Sequence, residues 1–356
     1  MLLVVVALLA PAADAAQSRK KSMWGPVRVD GVSQFPIYDD LGVGIYQTAL
    51  LWDTIAPTRP ANPRDPNDPA YVWPETVDFA VSEAARYGMG VSAMLVYAPT
   101  WANGGKPRNW APKNPQDFAD FAAAAAQRYP SIRHWMVWGE PSRRMQFRPL
   151  AHDVKRTRRT TPAQRRGPRL YARILDRAYV ALKGVSRRNL VIGGNTFTTG
   201  DVAPRKYIAA MKLPNGKPPR LDLYGHNPFT MRRPALKKKP FAPREGFADF
   251  SDLDTLARWV DRAYRVRRKR PKLFLSEFFA PTDHYNHEFN FYVSRKTQAN
   301  WLTAALRITR RWSRIYTFGW YELYDEAPRP QGDEVNRGLI DNQGRKKPSY
   351  FAYRQG

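Results

Sequence analysis

The sequence has no cysteine. A disulfide-stapled scaffold, a thiolate zinc site and a cysteine nucleophile are excluded together. Acidic residues are few beside basic ones, 31 Asp and Glu against 58 Lys and Arg, which leaves a formal charge of +27. Histidine is also sparse: His134, His152, His226, His284 and His287, of which only the last two stand close together. That pair is poor support for a metal site, so no metal and no organic cofactor is expected. Long hydrophobic runs are missing with one exception. Residues 2 to 12, LLVVVALLAPA, lead into Ala13-Asp14-Ala15-Ala16, a secretory h-region with a small-residue cleavage site. The run is well short of the ~20 apolar residues that span a bilayer. The expectation is a signal peptide over residues 1–16, export to the cell envelope or the exterior, and no transmembrane segment. No basic residue precedes the run, so the leader is expected to begin upstream of Met1.

What is present is globular. Of 356 residues 43% are hydrophobic and 13% aromatic, ample for a large core. Short β-branched runs alternate with longer segments of helical periodicity, the form of βα units around a parallel sheet. The runs predict eight strands: Met23–Val29, Val43–Ala49, Gly90–Tyr97, Ile132–Trp138, Leu190–Gly194, Leu221–His226, Lys272–Glu277 and Ile315–Trp320. Between them, apolar residues three and four apart predict helices around Val77, Phe118, Tyr171, Leu253 and Trp301. No glycine-rich phosphate turn follows the first strand, and no linker divides the chain. The pattern therefore predicts a single-domain (β/α)8 barrel over residues 20–356. Segments 142–169 and 229–252, basic and proline-containing, are expected as long rim loops after strands four and six.

Reactive groups in such a barrel stand at the carboxyl ends of strands. Strand four ends Trp138-Gly139-Glu140-Pro141 and strand seven ends Leu275-Ser276-Glu277-Phe278. Two carboxyls facing across the rim can protonate a leaving oxygen from one side and attack from the other, which suits a glycosidic bond. His226, ending strand six, is a candidate partner beside Glu277.

These residues carry a resemblance. The chain resembles the clan A retaining glycoside hydrolases, the cellulase-like and xylosidase/iduronidase-like barrels. The likeness runs through Leu41-Gly42-Val43, Trp52 and Pro57, Pro99-Thr100-Trp101, the two Glu motifs, Trp320, and Gly338-Leu339-Ile340-Asp341 through Lys347-Pro348-Ser349-Tyr350. It implies Glu140 as general acid/base and Glu277 as nucleophile, with Trp52, Trp101, Trp320, Tyr97, Gln47, Asn227 and His226 around the sugar. Glu140, beside Trp138 and facing a charged Glu277, is expected to hold the proton, and Glu277 to stay ionised. Three positions depart from the family: Gly139 stands where Asn is usual, Gln47 where Arg is usual, and Phe229 where a tyrosine is usual. Two outcomes stay open, an active enzyme of a divergent subgroup or a catalytically silent barrel that binds anionic glycan.

The positive charge clusters at Lys155 to Arg159, Gln164-Arg165-Arg166, Arg232-Arg233, Lys237 to Lys239 and Arg265 to Arg270. Runs in the two long loops would frame the cleft and favour acidic polysaccharide or cell-envelope polymers. A nucleic-acid-binding protein is the competing class, but no zinc-finger, helix-turn-helix or RNP pattern occurs and no specific nucleic acid is expected. The partners expected are therefore a carbohydrate substrate and such polymers, for a chain acting as a monomer.

Overall fold

A computed structural model describes residues 17–152, 160–236, 240 and 242–356. The expected leader and the runs Lys155 to Arg159 and Lys237 to Lys239 lie outside the described residues. At the centre eight parallel strands close into a barrel: β1 Ser18–Trp24, β2 Val43–Leu51, β3 Gly90–Val96, β4 His134–Val137, β5 Leu190–Phe197, β6 Leu223–Asn227, β7 Lys272–Leu275 and β8 Ile315–Tyr321. Neighbours in sequence are neighbours in the ring, and β1 closes it, with Met23 opposite Trp320 of β8 and Tyr46 of β2. Seven helices follow β1 to β7 in turn: α1 Phe35–Asp40, α2 Glu75–Arg86, α3 Pro115–Arg128, α4 Pro162–Val185, α5 Pro204–Ala210, α6 Leu253–Tyr264 and α7 Arg295–Arg311. The helix α8 Pro348–Gln355 ends the chain and ties back to β1 through the Tyr353 hydroxyl, which donates to the Ser22 carbonyl at 3.0 Å.

The core has two layers. Inside the barrel, Met136, Ile192, Leu223 and Phe274 from four successive strands pack together with Met94 and Tyr316. Outside it, the apolar stripes of the helices cover the sheet, as with Phe118, Phe121, Ala122 and Ala125 of α3. Helix starts follow local chemistry. Asn114 accepts the Gln116 N–H at 3.0 Å with Pro115 in the first turn of α3. Thr161 and Gln164 form a reciprocal capping box at the start of α4. That box begins the helix eight residues before the end of the segment expected as loop, so Gln164, Arg165 and Arg166 are helical.

The first strand also departs from expectation, since it begins at Ser18 and ends at Trp24. Its basic residues conceal it in the sequence. Lys21 is buried, yet its stem carries the ammonium out of the sheet to the Arg354 carbonyl at 3.5 Å and over the Tyr353 ring at 4.8 Å. Arg28–Val29 instead pairs with Val32–Ser33 in a short hairpin.

Candidate active site

The carboxyl ends of the strands form one rim, and β4 ends there in an unusual turn. Trp138 and Glu140 both have positive φ, 65° and 41°, which re-aims the chain and turns Glu140 inward. Between them Gly139 has no room for a side chain: a Cβ would stand 2.7 Å from the Met94 sulfur of β3. An asparagine cannot occupy this position unless Met94 moves.

Glu140 is 6% exposed and has two partners. The Asn227 amide at the end of β6 donates to Oε1 at 2.8 Å, and the Arg143 guanidinium donates to Oε2 at 2.7 Å. Glu277, beyond the end of β7, is buried close enough to feel both the Glu140 charge and the Asn227 amide. Burial first, and the Glu140 charge second, push Glu277 up to about 8, against opposing help from Arg143, Arg337 and Asn227. This raised carboxyl departs from the expectation that Glu277 stays ionised.

Around the pair stand groups that the sequence did not single out. Tyr321, the last residue of β8, is half-buried, makes an edge contact with Trp24 at 6.3 Å, and feels the Glu277 charge. Arg337 lies 4.6 Å over the Tyr321 ring and binds Glu322 Oε1 through Nε and Nη2 at 3.1 and 3.0 Å. Trp24 Nε1 donates to the Ser276 carbonyl at 3.1 Å, just before Glu277. Phe229 joins Phe197, Phe279 and Phe289 in a partly exposed aromatic wall, and Arg143 rests 4.4 Å over Phe197. Arg143 had a readable signal, three residues after Glu140. Arg337 had none, because only the fold brings its loop here.

Other predicted residues fall elsewhere. Trp320 is fully buried against Phe278 on the helix side of the sheet, because successive strand residues face opposite ways and Tyr321 takes the inward place. Trp52 is likewise fully enclosed, between Trp101, Phe118 and Phe121. Neither has a free face for a sugar. Trp101 is half-buried, with Arg59 4.4 Å over its ring, and the Tyr97 ring is covered by Arg108 at 3.8 Å. Gln47 is buried and grips Ser276, donating to its carbonyl at 2.8 Å and accepting from its hydroxyl at 3.1 Å. It braces β7 directly before Glu277. A Cβ on Gly319 would stand 2.6 Å from this amide, so β8 needs glycine there.

His226 is structural. It is fully buried, its Nε2 donates to the Ala248 carbonyl at 2.9 Å and its Nδ1 accepts from the Thr196 hydroxyl at 2.9 Å. Burial lowers its pKa to about 4, so the ring is neutral with both nitrogens used. The basic runs also scatter. Arg232 is held by Asp249 and Asp252 at 2.6 and 3.0 Å, and Arg265 to Arg270 precede β7, at the end of the barrel away from the rim. Among the described residues no group of three His, Asp or Glu side chains is placed to hold a metal, and no helix is long and apolar enough to cross a membrane.

No protein-family model matches the sequence, and no curated protein does. Solved structures do. A family 39 glycoside hydrolase from Bacteroides cellulosilyticus WH2 aligns with 95% of this chain at 17% identity and a TM-score of 0.65. The (β/α)8 barrel fold is shared with these glycoside hydrolases. A glucosidase from Croceicoccus marinus aligns with 97% at 14% identity and a TM-score of 0.65, and a GH39 β-xylosidase from Caulobacter crescentus with 97% at 17% identity and a TM-score of 0.62. The chain spans 63%, 66% and 72% of their respective lengths.

Proposed function

We propose that the chain is an exported, retaining glycoside hydrolase that cleaves an O-glycosidic bond by double displacement. One observation carries this reading: Glu277 after β7 is buried close enough to Glu140 after β4 for the charge on Glu140 to raise its carboxyl. Two carboxyls facing each other in this way suit attack by one on an anomeric carbon while the other protonates the leaving oxygen. The activities in the names of the similar structures, a glucosidase and a xylosidase among them, support the reaction class.

Glu277 is the nucleophile in this reading. Its oxygen bonds to the anomeric carbon as the glycosidic C–O bond breaks, and the Glu140 proton passes to the leaving oxygen. Water then attacks the same carbon, gives its proton to Glu140 and frees Glu277. Both steps require Glu140 to alternate between acid and base, which the Arg143 contact opposes. Substrate entry must therefore displace Arg143 from Oε2, so that Glu140 can carry the proton while Glu277 is ionised. Tyr321 and Trp24 supply the aromatic walls beside the sugar. The apolar run at residues 2 to 12 supports export.

The Arg143–Glu140 ion pair is also the observation that favours the silent-barrel reading. A panel of aryl glycosides covering pentosides, hexosides and uronides decides between them. The enzyme reading expects cleavage of at least one, with Glu140→Gln and Glu277→Gln each lowering kcat by ~10³-fold or more. No cleavage across the panel leaves the silent barrel.

A further inference from the structure

The flank of the barrel carries a feature that the catalytic reading does not use. Helix α4 contains six cations, Arg165, Arg166, Arg169, Arg173, Arg177 and Lys183, and a single acid, Asp176. Asp176 is turned to Arg220 at 2.6 Å and Arg267 at 4.0 Å. Arg166, Arg169, Arg173 and Arg177 are all exposed. Their spacing of three, four and four residues places them in one stripe of the helix, with rungs ~4.5–6 Å apart over ~16 Å. No ion pair, hydrogen bond or ring contact is made by any of the four among the described residues.

Like charges one turn apart cost a helix ~0.2–0.5 kcal/mol per pair. The α4 helix tolerates this because its other face is buried through Tyr171, Ile174, Leu175, Ala178 and Leu182. An ordinary solvated face would alternate its signs, and this one does not. Beside it runs a groove of about 900 Å³ that adds Lys113, Asn114, Gln116 and Asn215 to Arg173 and Arg177. Its walls also include Val180, Leu213 and Asp176, the last neutralised by Arg220, and no aromatic ring.

We propose that this ladder and groove form a binding site, separate from the catalytic centre, for a linear acidic polysaccharide with a carboxylate on each sugar. One pyranose repeat matches one step between rungs, and guanidinium forks suit carboxylates. The absence of a stacking ring argues against single-stranded nucleic acid, which is held largely by aromatic platforms. Because α4 follows β4, its first turn stands at the rim that carries Glu140. A polymer held along the helix is led toward that rim.

The test measures binding of a polygalacturonate decamer at 50 mM salt to the full chain. The fourfold variant R166Q/R169Q/R173Q/R177Q is compared with K212Q/K296Q/R307Q/R311Q, which removes the same charge from exposed sites elsewhere. The ladder variant is expected to bind ~10-fold more weakly or worse, and the control within ~2-fold of wild type. Equal weakening in both variants overturns the site, because net charge then explains the binding. Single-stranded DNA of equal charge that binds as tightly, with the same dependence on the ladder, also overturns it. Should the fourfold variant fail to fold, R173Q/R177Q reads the same question with a smaller loss. Binding is independent of turnover, so an inactive barrel does not affect the outcome.

Discussion

Replacing Glu277 with glutamine is expected to stabilise the protein at high pH and to do nothing at low pH. Glu277 is raised from 4.5 to about 8 in the folded chain, by burial and then by the charge on Glu140. A carboxyl held above its unfolded value binds its proton more tightly when folded. Its contribution is complete below the unfolded value and is lost as pH rises through about 8. The interval from 4.5 to about 8 is about 3.5 pH units, and at 1.36 kcal/mol each the ceiling is ~5 kcal/mol. Water entry and sharing of the proton with Glu140 reduce this to an expected ~2–3 kcal/mol. Glutamine keeps the shape and removes the charge. Urea unfolding of wild type and Glu277→Gln should agree within ~0.5 kcal/mol at pH 5 and differ by ~2–3 kcal/mol at pH 9, the variant being the more stable. A pH-independent difference, or a wild type that gains on the variant as pH rises, refutes the reasoning. The same destabilisation is relieved when positive charge develops at an anomeric carbon, which links this number to catalysis.

Three further outcomes follow from particular contacts. Arg143→Gln removes a cation that lowers the Glu277 pKa, so the carboxyl ¹³C titration of Glu277 should move above its wild-type midpoint of about 8; a downward move contradicts the placement of Arg143. The His226 ring, held near a pKa of about 4, should show no NMR titration between pH 6 and 8 and should lower stability only as pH falls from the unfolded value of 6.5 toward 4; a midpoint above 6 would falsify its structural role. Gly139→Asn should cost ~1–3 kcal/mol by clashing with Met94, and the double variant with Met94→Ala should recover part of it, as thermal unfolding will show; an additive loss removes the packing account.

Local chemistry made most of the architecture readable. Short apolar runs located seven of the eight strands to within a few residues, because barrel strands buried on both faces read as near-continuous hydrophobic segments. The first strand escaped because Arg19, Lys20 and Lys21 mimic a soluble tail, and only the outward reach of Lys21 explains their place in a sheet. The start of α4 escaped because composition was weighed above the Thr161–Gln164 pairing. At the site, Glu140 and Glu277 were legible as strand-end carboxyls. Trp320 in place of Tyr321 was an error of one residue, and in a strand one residue reverses the face. His226 looked available from its position, yet Thr196 and Ala248, remote in sequence, consume both ring nitrogens. Arg337 and Trp24 reach the site from loops and strands whose approach is set by barrel closure, which no local pattern encodes.

The most direct test of the account is covalent trapping. Intact-mass spectrometry after incubation with a panel of 2-deoxy-2-fluoroglycosyl fluorides should show one added glycosyl group from a responsive sugar. Peptide mapping should place that group on Glu277, and Glu277→Gln should abolish it. Turnover of a substrate with no adduct, or an adduct on any other residue, contradicts a double displacement through Glu277.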